Sequence, residues 1–361
     1  MNNVGLPWLR RRWIPLLGSV SLIGILLAAA PLPQQLEVFS AGNKSFAATV
    51  KPQLPGGVGK VCAAVLNQDR QELACFGAQP DSRFEIGSLT KTFTAMLLAD
   101  AVNRGEVALD TRLGELLDVG QSPASTITLQ ELATHTSGLP RLPNSPGFYT
   151  GAFWANLTAG NPYTQDRPSL LGYAREAALS DRGSFGYSNF GFALLGEALA
   201  ARAGTDYSSL VRDRITTPLG MTNTSVAASS STGTVPGYST SFRAAEPWIM
   251  RAFSPAGAIT STVQDLAKYA KAILSGTAPG MNALAPISAL PGGDSIGLSW
   301  LTTERNGRSL SHHNGMTGGF ASIMVLDREA GYAAVLIGNA AISLDEAGFA
   351  LVADAAAELR K

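Results

Sequence analysis

The sequence predicts an α+β fold: an antiparallel sheet flanked by helices and built from both ends of the chain, with a mostly helical lobe inserted between those ends. Three observations predict it. Strand-like runs cluster at 61–76 and again after 296; between about 106 and 250, helical patterns alternate with Pro/Gly loops and strand patterns are scarce; an amphipathic helix of about 344–359 closes the chain. A sheet shared by the two ends and covered by helices buries the apolar faces of both, and a cleft then forms between the lobes. The boundaries read as 1–47 for a leader with its linker and 48–361 for the folded domain. Within that domain a sheet lobe takes about 48–105 and 255–361, and a helical lobe about 106–254.

The leader comes first. Arg10, Arg11 and Arg12 precede an apolar run from Ile14 to Ala30, followed by Pro31 and Pro33. A basic segment before an apolar one is an export signal rather than part of a fold. The run is long for a cleaved signal and short of the roughly 20 residues a membrane span needs, so cleavage and membrane anchorage through 14–30 are both open. Small-x-small sites occur at Ala28-Ala29-Ala30, with Pro31 following, and at Ser45-Phe46-Ala47. In either case the remainder faces the periplasm or the outside.

Charge follows the same division. Of 361 residues, 27 are Lys or Arg and 27 Asp or Glu, and only 15% are charged. Residues 1–47 hold four of the basic residues and one acidic, leaving a mildly acidic domain with 23 basic and 26 acidic residues. No clustered basic surface points to nucleic acid. Two Cys, three His and no HExxH or CxxC motif give no basis for a metal, and no cofactor is expected.

The domain opens on a hairpin. Val61–Leu66 and Gln71–Phe76 read as strands around Asn67-Gln68-Asp69-Arg70. With Gln68-Asp69 as a two-residue turn, Cys62 faces Cys75 in a non-hydrogen-bonded pair, where the Cα atoms come close enough for a disulfide in an oxidising compartment. A longer loop would shift that register and leave two small buried apolar residues instead.

Phe84-Glu85-Ile86-Gly87 then leads into an apolar helix, Ser88 to Val102, which ends before Gly105. Its start spells Ser88-x-x-Lys91. Residues three apart share a helix face, so the amine reaches the hydroxyl, and the helix N-terminus favours a developing oxyanion. Through the middle of the chain, helices are expected at Leu129–Thr134, Leu170–Leu179, Phe190–Ala203 and Tyr207–Ile215. Two loops are expected as well: 141–168, holding Phe148, Tyr149, Phe153, Trp154 and Tyr163, and the Ser/Thr-rich stretch 222–241. The aromatics would line the cleft or pin the loop.

Tyr187-Ser188-Asn189 opens the third of those helices. A Tyr with a lowered pKa can act as a general base, and the Asn two residues on can bind an amide carbonyl and orient a lysine. After Pro255 come a helix from Thr262 to Leu274 and strands at 296–302, 320–326 and 331–337. His312-His313-Asn314-Gly315-Met316 opens one of these strands, and its glycine allows close approach of backbone and substrate.

Together these segments resemble the active site of the serine beta-lactamase and penicillin-binding-protein superfamily, above all its class C-like branch of D-Ala-D-Ala carboxypeptidases, D-amino-acid peptidases and esterases. The likeness also takes in Leu132–Pro140 and Pro255–Thr262, and so covers nearly all the chain after the leader. It implies that Ser88 is acylated, with Lys91 and Tyr187 activating it. Asn189 would hold the substrate amide, His313-Asn314-Gly315 would stand where the family has Lys-Thr-Gly or His-x-Gly, and the backbone N–H groups of Ser88 and Met316 would form the oxyanion hole. His135 would be a buried structural residue rather than a triad base. A histidine replaces the fixed positive charge of the third motif, which favours a D-Ala-type peptidase or esterase over a class C-like beta-lactamase. The third reading is a catalytically weak penicillin- or peptidoglycan-binding module. Carboxylate recognition is left to a few local residues such as Lys91 and His313, and the partners expected are D-Ala peptides, beta-lactams or small esters.

Overall fold

The structure, a computed structural model, describes residues 31–228 and 233–359. The chain divides into two units, Met1–Pro33 and Gln34–Lys361. Arg10–Arg12 and the apolar run 14–30 lie outside the described residues, among which no helix is long and apolar enough to cross a membrane.

A nine-stranded antiparallel sheet organises the second unit. Its order is Phe39–Gly42, Gln71–Phe76, Val61–Leu66, Tyr332–Gly338, Ala321–Asp327, Arg308–Met316, Leu301–Arg305, Ser295–Ile296 and Ser288–Ala289. The central strands are apolar without a break because both faces of the sheet are covered. Cys62, Ala64 and Leu66 alternate with Val61, Ala63 and Val65, the first set entering the core shared with the helical lobe and the second a smaller core under the closing helix. Ala333, Val335 and Ile337 alternate with Ala334 and Leu336 in the same way. A continuous apolar run of this length is what a strand buried on two sides requires.

The helices Thr90–Asn103 and Val263–Leu274 pack into the first core, and Lys44–Val50 and Asp345–Glu358 into the second. Behind the first lies the helix Asn189–Ala203, whose Gly196 touches Pro255 so closely that a Cβ would sit 2.2 Å from the proline ring. A short three-stranded sheet, Phe84–Glu85, Ile259–Ser261 and Ser225–Val226, joins the two lobes. The expected α+β architecture is therefore present, with its large sheet antiparallel throughout.

The hairpin register is the one derived above. Leu66 pairs with Gln71 and Cys62 with Cys75, and the two cysteines form a disulfide with Cα atoms 4.1 Å apart. By the loop-entropy relation a crosslink of this span stabilises by about 3 kcal/mol. Reduction is expected to lower the denaturation midpoint accordingly; equal midpoints with and without reductant would refute it.

Four expectations need correction. The folded unit begins at Gln34 rather than 48: Phe39–Gly42 is an edge strand, and the helix Lys44–Val50 buries Phe46, Ala47 and Val50. Residues 146–158, read as part of a loop, form the helix Pro146–Thr158 with proline in its first turn, where a missing N–H costs nothing. His313–Met316 ends the nine-residue strand Arg308–Met316 instead of opening the next one, because Gly318 and Gly319 turn the chain before Ala321–Asp327. The stretch 222–241, expected as a loop, is partly built into the fold: Thr224 is buried against Ser261 and Asp265, and Ser225–Val226 pairs with Ile259–Ser261.

Candidate active site

Ser88 lies in a 3-10 turn, Gly87–Leu89, that runs directly into the helix Thr90–Asn103. Gly87 takes φ +51°, a region open to glycine, and a Cβ there would meet the Met316 backbone nitrogen at 2.5 Å. Gly315 is equally constrained, since a Cβ would lie 1.9 Å from the Ile86 carbonyl. These two glycines let the end of the strand Arg308–Met316 close on the serine turn. The Met316 backbone nitrogen thereby comes against the serine turn, and Met316 lines the same two cavities as Ser88.

Lys91, one turn on, is wholly buried. Its Nζ lies 3.0 Å from Ser88 Oγ and donates to the Ala256 carbonyl at 2.6 Å. Burial, followed by the charge of Arg141, holds the amine well below the ordinary lysine range. The Tyr187 hydroxyl donates to Ser88 Oγ at 2.7 Å. Burial pushes its phenol up to about 12, outweighing the Ser88 hydrogen bond and the Arg141 charge, which lower it. Burial thus favours the neutral form of each group, the free amine of Lys91 and the protonated phenol of Tyr187. Ser88 Oγ is therefore flanked by the Lys91 amine and the Tyr187 hydroxyl, the two groups within reach of its proton.

The remaining expected residues fall around this group in three ways. Asn189, held at the start of its helix, lines the cavity in front of Ser88, but it does not orient the lysine. Its Nδ2 donates to Tyr163 Oη at 3.0 Å, and its buried Oδ1 is left without a partner. The carbonyl of Ala256 orients Lys91 instead, a contact no side-chain motif could announce. Asn314 is exposed on the strand and donates to Asp345 at 2.7 Å. His313 is buried, its Nδ1–H donating to the Asn314 carbonyl at 2.6 Å, and burial pushes the imidazole down to about 3. It brings no positive charge to the site.

His135 is buried as expected, and its Nδ1 accepts the Ser188 N–H at 3.1 Å. Its ring lies 4.4 Å from that of Tyr187 and supports the phenol from behind. Among the aromatics of 141–168, Phe148 and Tyr163 are core residues, while Tyr149, Phe153 and Trp154 face solvent.

Two cavities meet at Ser88. The larger, about 340 Å³, runs toward the helical lobe past Tyr163, Asn189 and Trp248. The second, about 300 Å³, is bounded by Tyr187, Asn314, Gly315 and Asp345. Arg141, the first residue of the segment expected as a loop, lines both and carries no motif of its own.

A serine in contact with a buried lysine and a tyrosine, at the junction of an antiparallel sheet and a helical lobe, defines a serine hydrolase site of the acyl-enzyme type. The chain belongs to the Beta-lactamase family, whose model matches residues 46–358. It is 28% identical to the unguisins hydrolase ungD' of Aspergillus campestris over 76% of this chain and 55% of that one. It is 36% identical to the D-alanyl-D-alanine-carboxypeptidase/endopeptidase AmpH of Escherichia coli over 42% of this chain and 38% of that one. The chain thus spans about half the length of the first of these relatives and less of the second. Among solved structures, the beta-lactamase/D-alanine carboxypeptidase of Yersinia pestis superposes with a TM-score of 0.70 at 23% identity, covering 88% of this chain and 100% of that one.

Proposed function

We propose that this protein is an exported serine hydrolase that forms an acyl-enzyme at Ser88 and acts on D-Ala-type peptides or small esters. The observation that carries the reading is the contact of Ser88 Oγ with Lys91 Nζ at 3.0 Å and Tyr187 Oη at 2.7 Å, at the meeting point of two cavities. In this reading Lys91 takes the serine proton as Oγ attacks the acyl carbon, and the Ser88 and Met316 N–H groups hold the oxyanion. Tyr187 passes its proton to the leaving group and recovers one from Lys91. Water then enters, gives up its proton by the same route and releases the acid. The peptidase and esterase readings are favoured over efficient beta-lactam turnover by the neutral, buried His313 in the third motif. Export rests on Arg10–Arg12 and the apolar run behind them.

A fluorophosphonate probe is expected to label wild-type protein and not Ser88→Ala, and hydrolysis of p-nitrophenyl butyrate is expected to disappear with the label. An unlabelled wild type, or full labelling of Ser88→Ala, would refute the assignment. Nitrocefin, run in parallel, separates a beta-lactamase from an enzyme that is acylated and released slowly.

A further inference from the structure

A peptide that ends in D-alanine carries a free carboxylate, and the two residues from which sequence reasoning expected its recognition do not supply it. Lys91 and His313 are both buried, and neither lines the cavities beside Ser88. Among the described residues that do line them, Arg141 is the one cation.

Its setting is that of a fixed charge awaiting a ligand. The main chain of Arg141 is anchored, its carbonyl accepting the N–H groups of Asn189 and Phe190 at 3.0 and 3.2 Å. Its guanidinium lies over the Tyr187 ring, 5.0 Å from the centroid. That is the usual stacking of arginine on an aromatic face, and it leaves the N–H edge free to bind. Among the described residues, no Asp or Glu forms an ion pair with it. The one acid lining either cavity, Asp345, sits in the second and is held by Asn314. A substrate anion is therefore repelled from the Asp345 wall and drawn to the Arg141 wall, past Ser88.

We propose that Arg141 is the carboxylate-binding residue of this site, pairing through its guanidinium with the free carboxylate of an acyl-D-amino-acid substrate whose scissile carbonyl lies at Ser88. The assignment rests on the hydrolase reading above and deepens it. Positive charge is supplied from the helical lobe, at the foot of the Thr134–Pro140 turn, instead of from the third motif on the sheet. Arginine suits the role because its planar fork matches a carboxylate in two parallel hydrogen bonds.

Binding is measured by calorimetry on Ser88→Ala protein, which leaves the ligand intact. The probes are N-acetyl-D-alanyl-D-alanine and its C-terminal carboxamide. The acid is expected to bind at least tenfold more tightly than the amide, with the preference narrowing as salt is raised. Adding Arg141→Gln should bring the acid-to-amide ratio close to one, and Arg141→Lys should retain part of it. A residue that merely propped Tyr187 would weaken acid and amide alike. Equal binding of acid and amide to the Ser88→Ala protein, no binding of either, or a preference that survives Arg141→Gln would overturn the proposal. Labelling of wild type by the fluorophosphonate probe is independent of all three outcomes, so the hydrolase reading and the Arg141 assignment fail separately.

Discussion

Lys91→Met is expected to lower kcat/KM for an ester substrate by about 10²–10⁴-fold, the range typical of losing a positioned general base. Tyr187→Phe should cost less. The difference follows from the two environments. Both groups touch Ser88 Oγ, but burial moves their pKa values in opposite directions, lowering that of the lysine and raising that of the tyrosine. Lys91 must be neutral to accept the serine proton, so activity should fall on the acid side as pH drops through its lowered pKa. Tyr187→Phe should keep that acid limb. An acid limb that vanished in Tyr187→Phe and persisted in Lys91→Met would reverse the assignment.

The same shift has a consequence for stability. The Lys91 pKa is lower in the folded protein than the value of about 10.4 expected for an unfolded chain. Between those two values the unfolded state binds the extra proton, so stability rises with pH across that window. In Lys91→Met this contribution is absent, and the dependence should flatten there. Denaturant midpoints measured from neutral to alkaline pH test this independently of catalysis.

Much of the catalytic group was legible because short-range spacing decides it. Ser88 and Lys91 lie three apart at a helix start, and of the two registers open to the hairpin the one with a Gln68-Asp69 turn sets Cys62 opposite Cys75, as the structure has it. What escaped was set by tertiary contact. The carbonyl of Ala256 carries no side-chain signal, yet it is the second partner of Lys91. Arg141 was hidden because a carboxylate contact was sought in the third motif, where His313 proves to be buried. The helix Pro146–Thr158 contains Pro146, Gly147 and Gly151, all of which read as turn residues. Proline at a helix start is compatible with the helix, and Gly151 has open space around it. The strand Arg308–Met316 mixes polar and apolar residues because its far end borders the site instead of a second layer.

The second large effect concerns the start of the fold. A protein beginning at Ala48 should be less stable than one beginning at Gln34 by at least the cost of emptying a buried phenylalanine site, about 3–5 kcal/mol. Phe46 is 1% exposed in the core beneath the closing helix, and Asn43 caps its helix through the N–H groups of Ser45 and Phe46. The strand Phe39–Gly42 covers the edge of Gln71–Phe76, and Glu37 pairs with Lys60 at 2.8 Å. Losing these exposes an unpaired strand edge holding Cys75 and Phe76, so aggregation should accompany the fall in midpoint. This bears on the proposed leader, because a cut after Ala47 would excise part of the core, whereas one near Ala30 would leave the unit from Gln34 whole. Mass spectrometry of the mature N-terminus is expected to find residues 34–47 retained, whether the apolar run is removed or kept as an anchor. A stable, active protein that starts at Ala48 would show that this strand and helix are dispensable.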